Sequence, residues 1–201
     1  MQVEPLTLTG TVVELRPLAS TDAAALFAAL DDEAVWRYLP THQPQSPADI
    51  DGAIAKALAA QARGEEVPFV TIHRESGEVI GTTRFLDISV DDRHAEIGWT
   101  AIAPAYQLTA VNTEAKYLML RHAFETWGCI RVQLKTDLRN ERSQRAIERI
   151  GGVREGVLRK VRVMPDGYQR ASVYYSILDD EWPAVKANLE ARLGLVRAGR
   201  R

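Results

Sequence analysis

Between a strand-like run ending near Ile102 and a long apolar helical stretch lies Pro104-Ala105-Tyr106-Gln107-Leu108-Thr109-Ala110-Val111-Asn112-Thr113-Glu114-Ala115. A strand that feeds a short turn into a helix leaves the first helical amides unpaired at the positive end of the helix dipole, a cradle for phosphate or pyrophosphate. The residues from Gln107 through Leu108, Thr109, Ala110, Val111 and Asn112 to Thr113 are therefore the expected phosphate-binding segment, with the helix running over 113–127. Asn140 and Ser143 are a second constellation. Three residues apart, they share one face of a first helical turn and can address one ligand together. The alternative makes Asn140 a helix cap and Ser143 chemically silent, and the cap role is compatible with the ligand role.

Other reactive residue types point elsewhere. His42, His73, His94 and His122 show no metal-ligand spacing, so no metal is expected. The single cysteine, Cys129, cannot form an internal disulfide; in Trp127-Gly128-Cys129-Ile130 it reads as a buried thiol at a helix-to-strand turn rather than a nucleophile. No P-loop, dinucleotide fingerprint or Gly-x-Ser-x-Gly elbow is present, which removes the common NTPase, dehydrogenase and hydrolase readings.

Composition narrows the partners. The chain has 201 residues, 46% hydrophobic and 26% charged, with a formal net charge of -2. That is ordinary globular composition with no global attraction to nucleic acid or anionic membrane, so a small-molecule or protein substrate is expected. Met1-Gln2-Val3-Glu4-Pro5 lacks a basic region leading into an apolar core, and no apolar run reaches membrane-spanning length; the expected compartment is the cytoplasm.

The elements that must position these residues follow from periodicity. Alternation predicts a strand over 12–18, and Ser20-Thr21-Asp22 offers caps for an Ala- and Leu-rich helix to Leu30. The segment 36–47 holds three prolines beside Trp36 and Tyr38 and reads as a stiff loop. A helix over 47–63 is capped by Ser46, and strands over 67–73, 79–88 and 95–102 form an antiparallel meander. A strand over 130–135, a helix over 141–150, strands over 153–163 and 169–177 around Pro165-Asp166-Gly167, and a helix over 180–193 follow. One domain over 1–193 and a frayed tail over 194–201 are expected.

This element order resembles that of the Gcn5-related N-acetyltransferases (GNAT) along nearly the whole chain. Asn140-Glu141-Arg142-Ser143, with Gly151-Gly152-Val153-Arg154-Glu155-Gly156 after it, is similar to a segment of the branch that acetylates ribosomal-protein N-termini, the RimJ/RimL-like acetyltransferases. Gln107 fills the first position of the family's pyrophosphate-loop pattern, while Ala110 and Asn112 stand where glycines are usual, and Ala95-Glu96-Ile97-Gly98-Trp99 resembles the strand that lies along acyl-CoA. The resemblance implies an α/β (α+β) fold: one mixed, mostly antiparallel sheet with splayed central strands and helices on both faces.

It also implies a chemistry. An amine attacking a thioester needs a neutral nucleophile, stabilisation of the tetrahedral oxyanion and protonation of the departing thiolate. By resemblance, Trp99, Thr100 and Ile102 border the slot for the acetyl-CoA pantetheine, Glu96 draws a proton from the amine acceptor, Asn140 contacts the donor and Ser143 protonates the sulfur. Glu96 can also be read as an exposed strand residue paired with Arg93 or Arg84. Arg142 or Arg145 would meet the donor phosphates, although Arg139, Arg142, Arg145, Arg149, Arg154 and Arg159 interleave with glutamates as on a solvated face. Two loops would flank the acceptor: 36–47, carrying Trp36 and Tyr38, and 164–168, where Asp166 would attract a cation beside Tyr168. Trp36 and Tyr38 can equally cap the first helix against the core. Unpaired sheet edges and the aromatic loop leave room for a homodimer. Loss of both glycines also suits a non-catalytic acyl-CoA-binding or regulatory protein.

Overall fold

The computed structural model describes residues 1–195. Eight strands make one mixed sheet in the order β1-β2-β3-β4-β5-β6-β8-β7. They are β1 (Leu8–Thr9), β2 (Val13–Pro17), β3 (Val67–His73), β4 (Val79–Ser89), β5 (His94–Ile102), β6 (Arg131–Asp137), β7 (Val153–Val163) and β8 (Gln169–Leu178). Strand period two sends successive side chains to opposite faces. On β3, Phe69 enters the core beneath α4 (Ala110–Arg121) and α6 (Trp182–Arg192), while Val70 enters the core beneath α1 (Ala23–Ala29) and α3 (Pro47–Ala62). The mixed, mostly antiparallel sheet with helices on both faces agrees with the expectation.

The one parallel pair, β5 with β6, sets the geometry of everything that follows. Its register covers only His94–Arg131, Ala95–Val132 and Glu96–Gln133, after which the two strands part. The cause lies on the other side of β5. Gly98 pairs with Arg84 and Ala101 with Thr82, so β5 carries one extra residue there, and Trp99 takes a left-handed φ of 51°. Such a bulge bends its strand and ends pairing on the far edge. Close approach makes it possible: a Cβ on Gly81 would stand 2.2 Å from the Ala101 carbonyl oxygen.

Several boundaries differ from those expected. The short strand β1 pairs with β2, adding an edge that two residues are too few to signal. The segment 36–47 is preceded by a one-turn helix, α2 (Glu33–Trp36), capped when Asp32 accepts from the Ala34 amide at 2.8 Å. Helix α4 starts at Ala110, three residues early, because Thr109 caps it, and it passes into a π-helical turn over His122–Thr126. Gly194 and Leu195 still belong to the end of α6, bonded back to Ala191 and Glu190 carbonyls, and the remainder of the expected tail lies outside the described residues. Cys129 is buried, and burial pushes its thiol up to about 11, as suits a packed rather than a reactive group.

Helix α4 is buried on most of its circumference and carries two charges inward. The Glu114 carboxylate accepts from Thr11 N, Thr11 Oγ1, Val12 N and Val13 N at 2.6–2.8 Å, which fastens the start of β2 to the helix; Gly10 leaves the room, since a Cβ there would lie 2.4 Å from that carboxylate. Lys116 is different. Its Nζ donates to Thr100 Oγ1 at 2.6 Å and Thr83 Oγ1 at 3.2 Å and has no carboxylate partner among the described residues, and burial pushes its pKa down to about 7.

Two predictions follow from this packing. Gly81→Ala should force β4 from β5 and destabilise the fold by about 1–3 kcal/mol, the usual range for overpacking, read from urea unfolding; an unchanged midpoint would mean the strands have slack at the bulge. For Lys116, the folded pKa lies below that of the unfolded chain, so the unfolded state binds more protons between about pH 7 and 10.5. The cost of its burial is thus complete below pH 7 and fades as pH rises through that window. Lys116→Met should raise Tm by about 5 °C or more at pH 6 and by much less at pH 10. A gain that does not vary with pH would show that charge burial is not the cost being relieved.

Candidate active site

The parted strands open a cavity of about 450 Å³ floored by the bulged end of β5 and the last residues of β6. Trp99, Thr100 and Ile102 line it from β5, as the sequence led us to expect. Beyond Glu96 and Gln133, β5 and β6 make no ladder pairs, so backbone groups of 98–102 on that edge are open to a ligand. One is already used: the Ile102 carbonyl accepts from Gln107 Nε2 at 2.8 Å.

The cavity reaches the start of α4. Gln107, Leu108, Thr109 and Asn112 line it there, whereas Ala110, Val111 and Thr113 do not, Val111 being packed in the core. The left-handed residue of this turn is Leu108 with φ 63°, while Ala110 and Asn112 are already helical. Neither of the two missing glycines is therefore required by backbone conformation. Gln107 Oε1 accepts from Arg142 Nη1 at 2.8 Å, which joins the turn to α5 (Glu141–Arg149). Arg145, named with the phosphate-binding residues, instead points to solvent and pairs with Glu141 one turn back at 3.2 Å.

Glu96 lies where the two strands diverge. It is 2% exposed, and its Oε2 accepts from Gln133 Nε2 at 2.7 Å and Lys135 Nζ at 2.8 Å. Oε1 has no hydrogen-bond partner among the described residues, and the side chain borders the cavity. The reading of Glu96 as an exposed glutamate paired with Arg93 or Arg84 is overturned: Arg84 bonds Glu66 at 2.7 Å and lies over the Trp99 ring. Across the cavity, Asn140 caps α5 by accepting from the Ser143 amide at 3.0 Å, and both residues face the cavity. The cap leaves the Asn140 amide nitrogen and the Ser143 hydroxyl without hydrogen-bond partners among the described residues.

The opposite wall comes from Tyr38, Leu39 and Pro40 and from the β7–β8 hairpin. Trp36 is held away by its Nε1 bond to the Leu30 carbonyl at 2.7 Å and packs against the α1–α3 core, the capping role allowed for it. Asp166 and Tyr168 also stand outside the cavity: the Asp166 carboxylate accepts from the Tyr168 amide within its own turn, and the Tyr168 ring stacks under Arg139 at 3.5 Å. Lys116, Arg162 and Arg170 line the cavity and were not singled out in the sequence. A lysine on an almost wholly apolar helix was the available signal for the first; nothing local marked the arginines. Among the described residues, no group of three or more His, Cys, Asp or Glu side chains could hold a metal ion, and no helix is long and apolar enough to cross a membrane.

Comparison with known proteins agrees with this geometry. The acetyltransferase (GNAT) domain family matches residues 13–153. The uncharacterized N-acetyltransferase YoaA of Bacillus subtilis is 30% identical over 82% of this chain and 92% of its own length. A crystal structure of a GCN5-related N-acetyltransferase from Brucella melitensis superimposes with a TM-score of 0.87 at 29% identity, covering 94% of this chain and 85% of that one. Mycobacterium smegmatis RimJ in complex with CoA-disulfide shares the fold, with a TM-score of 0.79 at 23% identity over 94% of this chain and 93% of that one. A strand pair that parts after three residues, a helix capped at the far end of the resulting slot and a family match across both place this chain in the GNAT acetyltransferase family.

Proposed function

We propose that the protein transfers an acetyl group from acetyl-CoA directly to a primary amine, with no covalent acyl-enzyme. The observation that carries this reading is Glu96 at the point where β5 and β6 separate, one carboxylate oxygen bound by Lys135 and Gln133 and the other turned toward a slot with unpaired strand edges. The residues present suit the donor. Open backbone groups of 98–102 can bond an extended amide chain as a strand would, and the start of α4 with Arg142 offers amides and a guanidinium for its phosphates. The RimJ relative was crystallised with CoA-disulfide, which supports a CoA-type donor here.

Within the slot, each residue has a definite task. Glu96 Oε1 takes the proton that the ammonium form of the acceptor must lose, directly or through one water. Backbone N–H groups of β5 stabilise the oxyanion as the amine adds to the thioester carbonyl. As the intermediate collapses, Ser143 donates its hydroxyl proton to the departing sulfur and regains one from the acceptor nitrogen, directly or through water, while Asn140, fixed by its cap, orients the chain leading to that sulfur. Tyr38 closes the acceptor side. A non-catalytic binder is the weaker reading, because the two glycine replacements on which it rests cause no backbone strain.

Calorimetry with acetyl-CoA and a thiol-release assay across a panel of amines test the proposal; absence of both binding and release would overturn it. Glu96→Gln should lower kcat/KM about a hundredfold to ten-thousandfold, most severely at low pH, where more of the acceptor is protonated. Ser143→Ala should slow transfer while leaving acetyl-CoA affinity nearly intact. Wild-type rates in both variants across the pH range would assign proton transfer to other groups.

A further inference from the structure

The β7–β8 hairpin violates a rule of sheet pairing beside the cavity. Arg162 and Arg170 are directly opposite in the register, and both line the cavity wall. Like charges facing each other across a ladder are destabilising, so this pair is a local cost to the hairpin. Arg170 is also buried, at 7% exposure. Its Nε donates to Ser172 Oγ at 2.9 Å and its Nη1 to the Tyr38 carbonyl at 3.2 Å, while Nη2 has no hydrogen-bond partner among the described residues.

The nearest carboxylate does not neutralise the group. Asp137 comes within 4.0 Å of Arg170 Nε, yet its two oxygens are engaged by Arg139 through the backbone amide, Nε and Nη2 at 2.9–3.1 Å. Two guanidinium groups thus share one carboxylate, and Arg162 stands opposite the second of them. Burial lowers the Arg170 pKa; Asp137 opposes that shift, and Arg162 and Arg139 add to it. Glu96, the acidic residue that lines the cavity, is already paired with Lys135.

Position fixes which ligand meets this charge. Asp137 pairs with Ser172 and Lys135 with Tyr174, so Arg170, Ser172 and Tyr174 lie along one face of β8, leading away from the Glu96–Lys135 pair. From Tyr174 to Arg170 is ~13 Å of strand, much of which an arginine side chain can span. Arg142, bonded to Gln107, stands instead at the α4 turn assigned to the donor phosphates.

We propose that the amine acceptor carries a carboxylate a few bonds from its reacting amine, and that Arg170, with Arg162 beside it, binds that carboxylate. This rests on the acetyltransferase reading above. A carboxylate accepting from Arg170 Nη2 would supply the missing hydrogen bond and relieve the opposed arginines. Arg170 then sets specificity through its planar, partly immobilised fork, which a lysine cannot reproduce.

The test uses acceptors matched except for one charge: peptides Ser-Glu-Ala-Ala and Ser-Gln-Ala-Ala, and 4-aminobutyrate against butylamine, each with acetyl-CoA in the thiol-release assay. The acid member of at least one pair should have a kcat/KM about tenfold or more above its neutral partner, the scale of one charge-assisted hydrogen bond. Which pair discriminates tells a peptide N-terminus from a small amino acid. Arg170→Gln should bring that ratio close to one, and Arg170→Lys should restore it only in part. Because Arg170 is buried, the exposed Arg162→Gln provides a second variant, expected to lower the ratio about threefold to tenfold. Calorimetric titration of the two peptides gives a readout independent of turnover, with the acid peptide binding at least about tenfold tighter. Equal rates and equal affinities within both pairs would overturn the proposal while leaving the acetyltransferase reading intact, as would a raised acetyl-CoA KM in Arg170→Gln with the ratio unchanged. Preferential binding of the acid peptide with no thiol release from any amine would support the carboxylate site and count against the transfer chemistry.

Discussion

Three residue pairs hold β5 to β6, and the site exists because there is no fourth. A sheet normally satisfies its backbone groups by continuing its ladder, and ending a central ladder early leaves donors and acceptors that something else must meet. The bulge at Trp99 enforces the ending, at the cost of a left-handed aromatic residue, about 1–3 kcal/mol for strain of this kind. Its surroundings over-determine it. Gly81 lets β4 come close enough, and Arg84, anchored by Glu66 at 2.7 Å, lies 4.9 Å from the Trp99 ring centre on the other side. The cleft is therefore a rigid consequence of packing around β4 and β5, and the side chains that face it inherit that rigidity.

Buried charge is distributed unevenly around this frame. Glu114 is fully served by three amides and a hydroxyl, and it has a structural task, tying the first long strand to α4. Glu96 is half served: two donors hold one oxygen and leave the other free. Lys116 has only hydroxyl partners and Arg170 only a share of a carboxylate. Burying an incompletely compensated ion is costly, more so than burying a paired one. Glu96, Lys116 and Arg170 border the cavity, whereas Glu114 and the likewise buried, fully bonded Asp22 and Asp137 do not, the separation expected between charges retained for the fold and charges retained for a ligand.

Much of the fold was legible in the sequence because strand and helix periods are local properties. The β3–β4–β5 meander, α3 and the β7–β8 hairpin needed only alternation, a cap or a turn pair. Glu96, Asn140 and Ser143 were singled out through the family wording around them, and all three border the cavity. The start of α4 was misread because attention fell on glycines missing at Ala110 and Asn112, although Thr109 is an ordinary N-cap that begins the helix at once. For Trp36 the sequence left loop surface and a cap on the first helix equally open, and the choice falls to its bond with the Leu30 carbonyl at the end of α1, which no periodicity signals. Arg162 and Arg170 could not be seen at all: their opposition depends on the β7–β8 register, which shifts between Leu158 and Arg162.

Where local rules are broken in this chain, the breaks gather around one volume. Left-handed φ at Asp87, Arg93 and Lys160 accompanies register shifts and turns in β4, β5 and β7, as bulges and tight turns generally require. Trp99 and Leu108 are different, because both line the cavity. Leu108 combines a left-handed backbone, a cost of roughly 1–2 kcal/mol for a residue with a Cβ, with a side chain 82% exposed. Burial gains it nothing, and glycine would relieve the strain. Lys116 is charged without a counter-ion below about pH 7, and Arg162 faces Arg170. At Leu108, Lys116 and the opposed arginines, contacts among the described residues leave part of the local cost standing, and sequences ordinarily carry such costs where function requires them. Their meeting around a single cavity is independent of any family resemblance, and it selects the same β5–β6 slot in which we propose that transfer takes place.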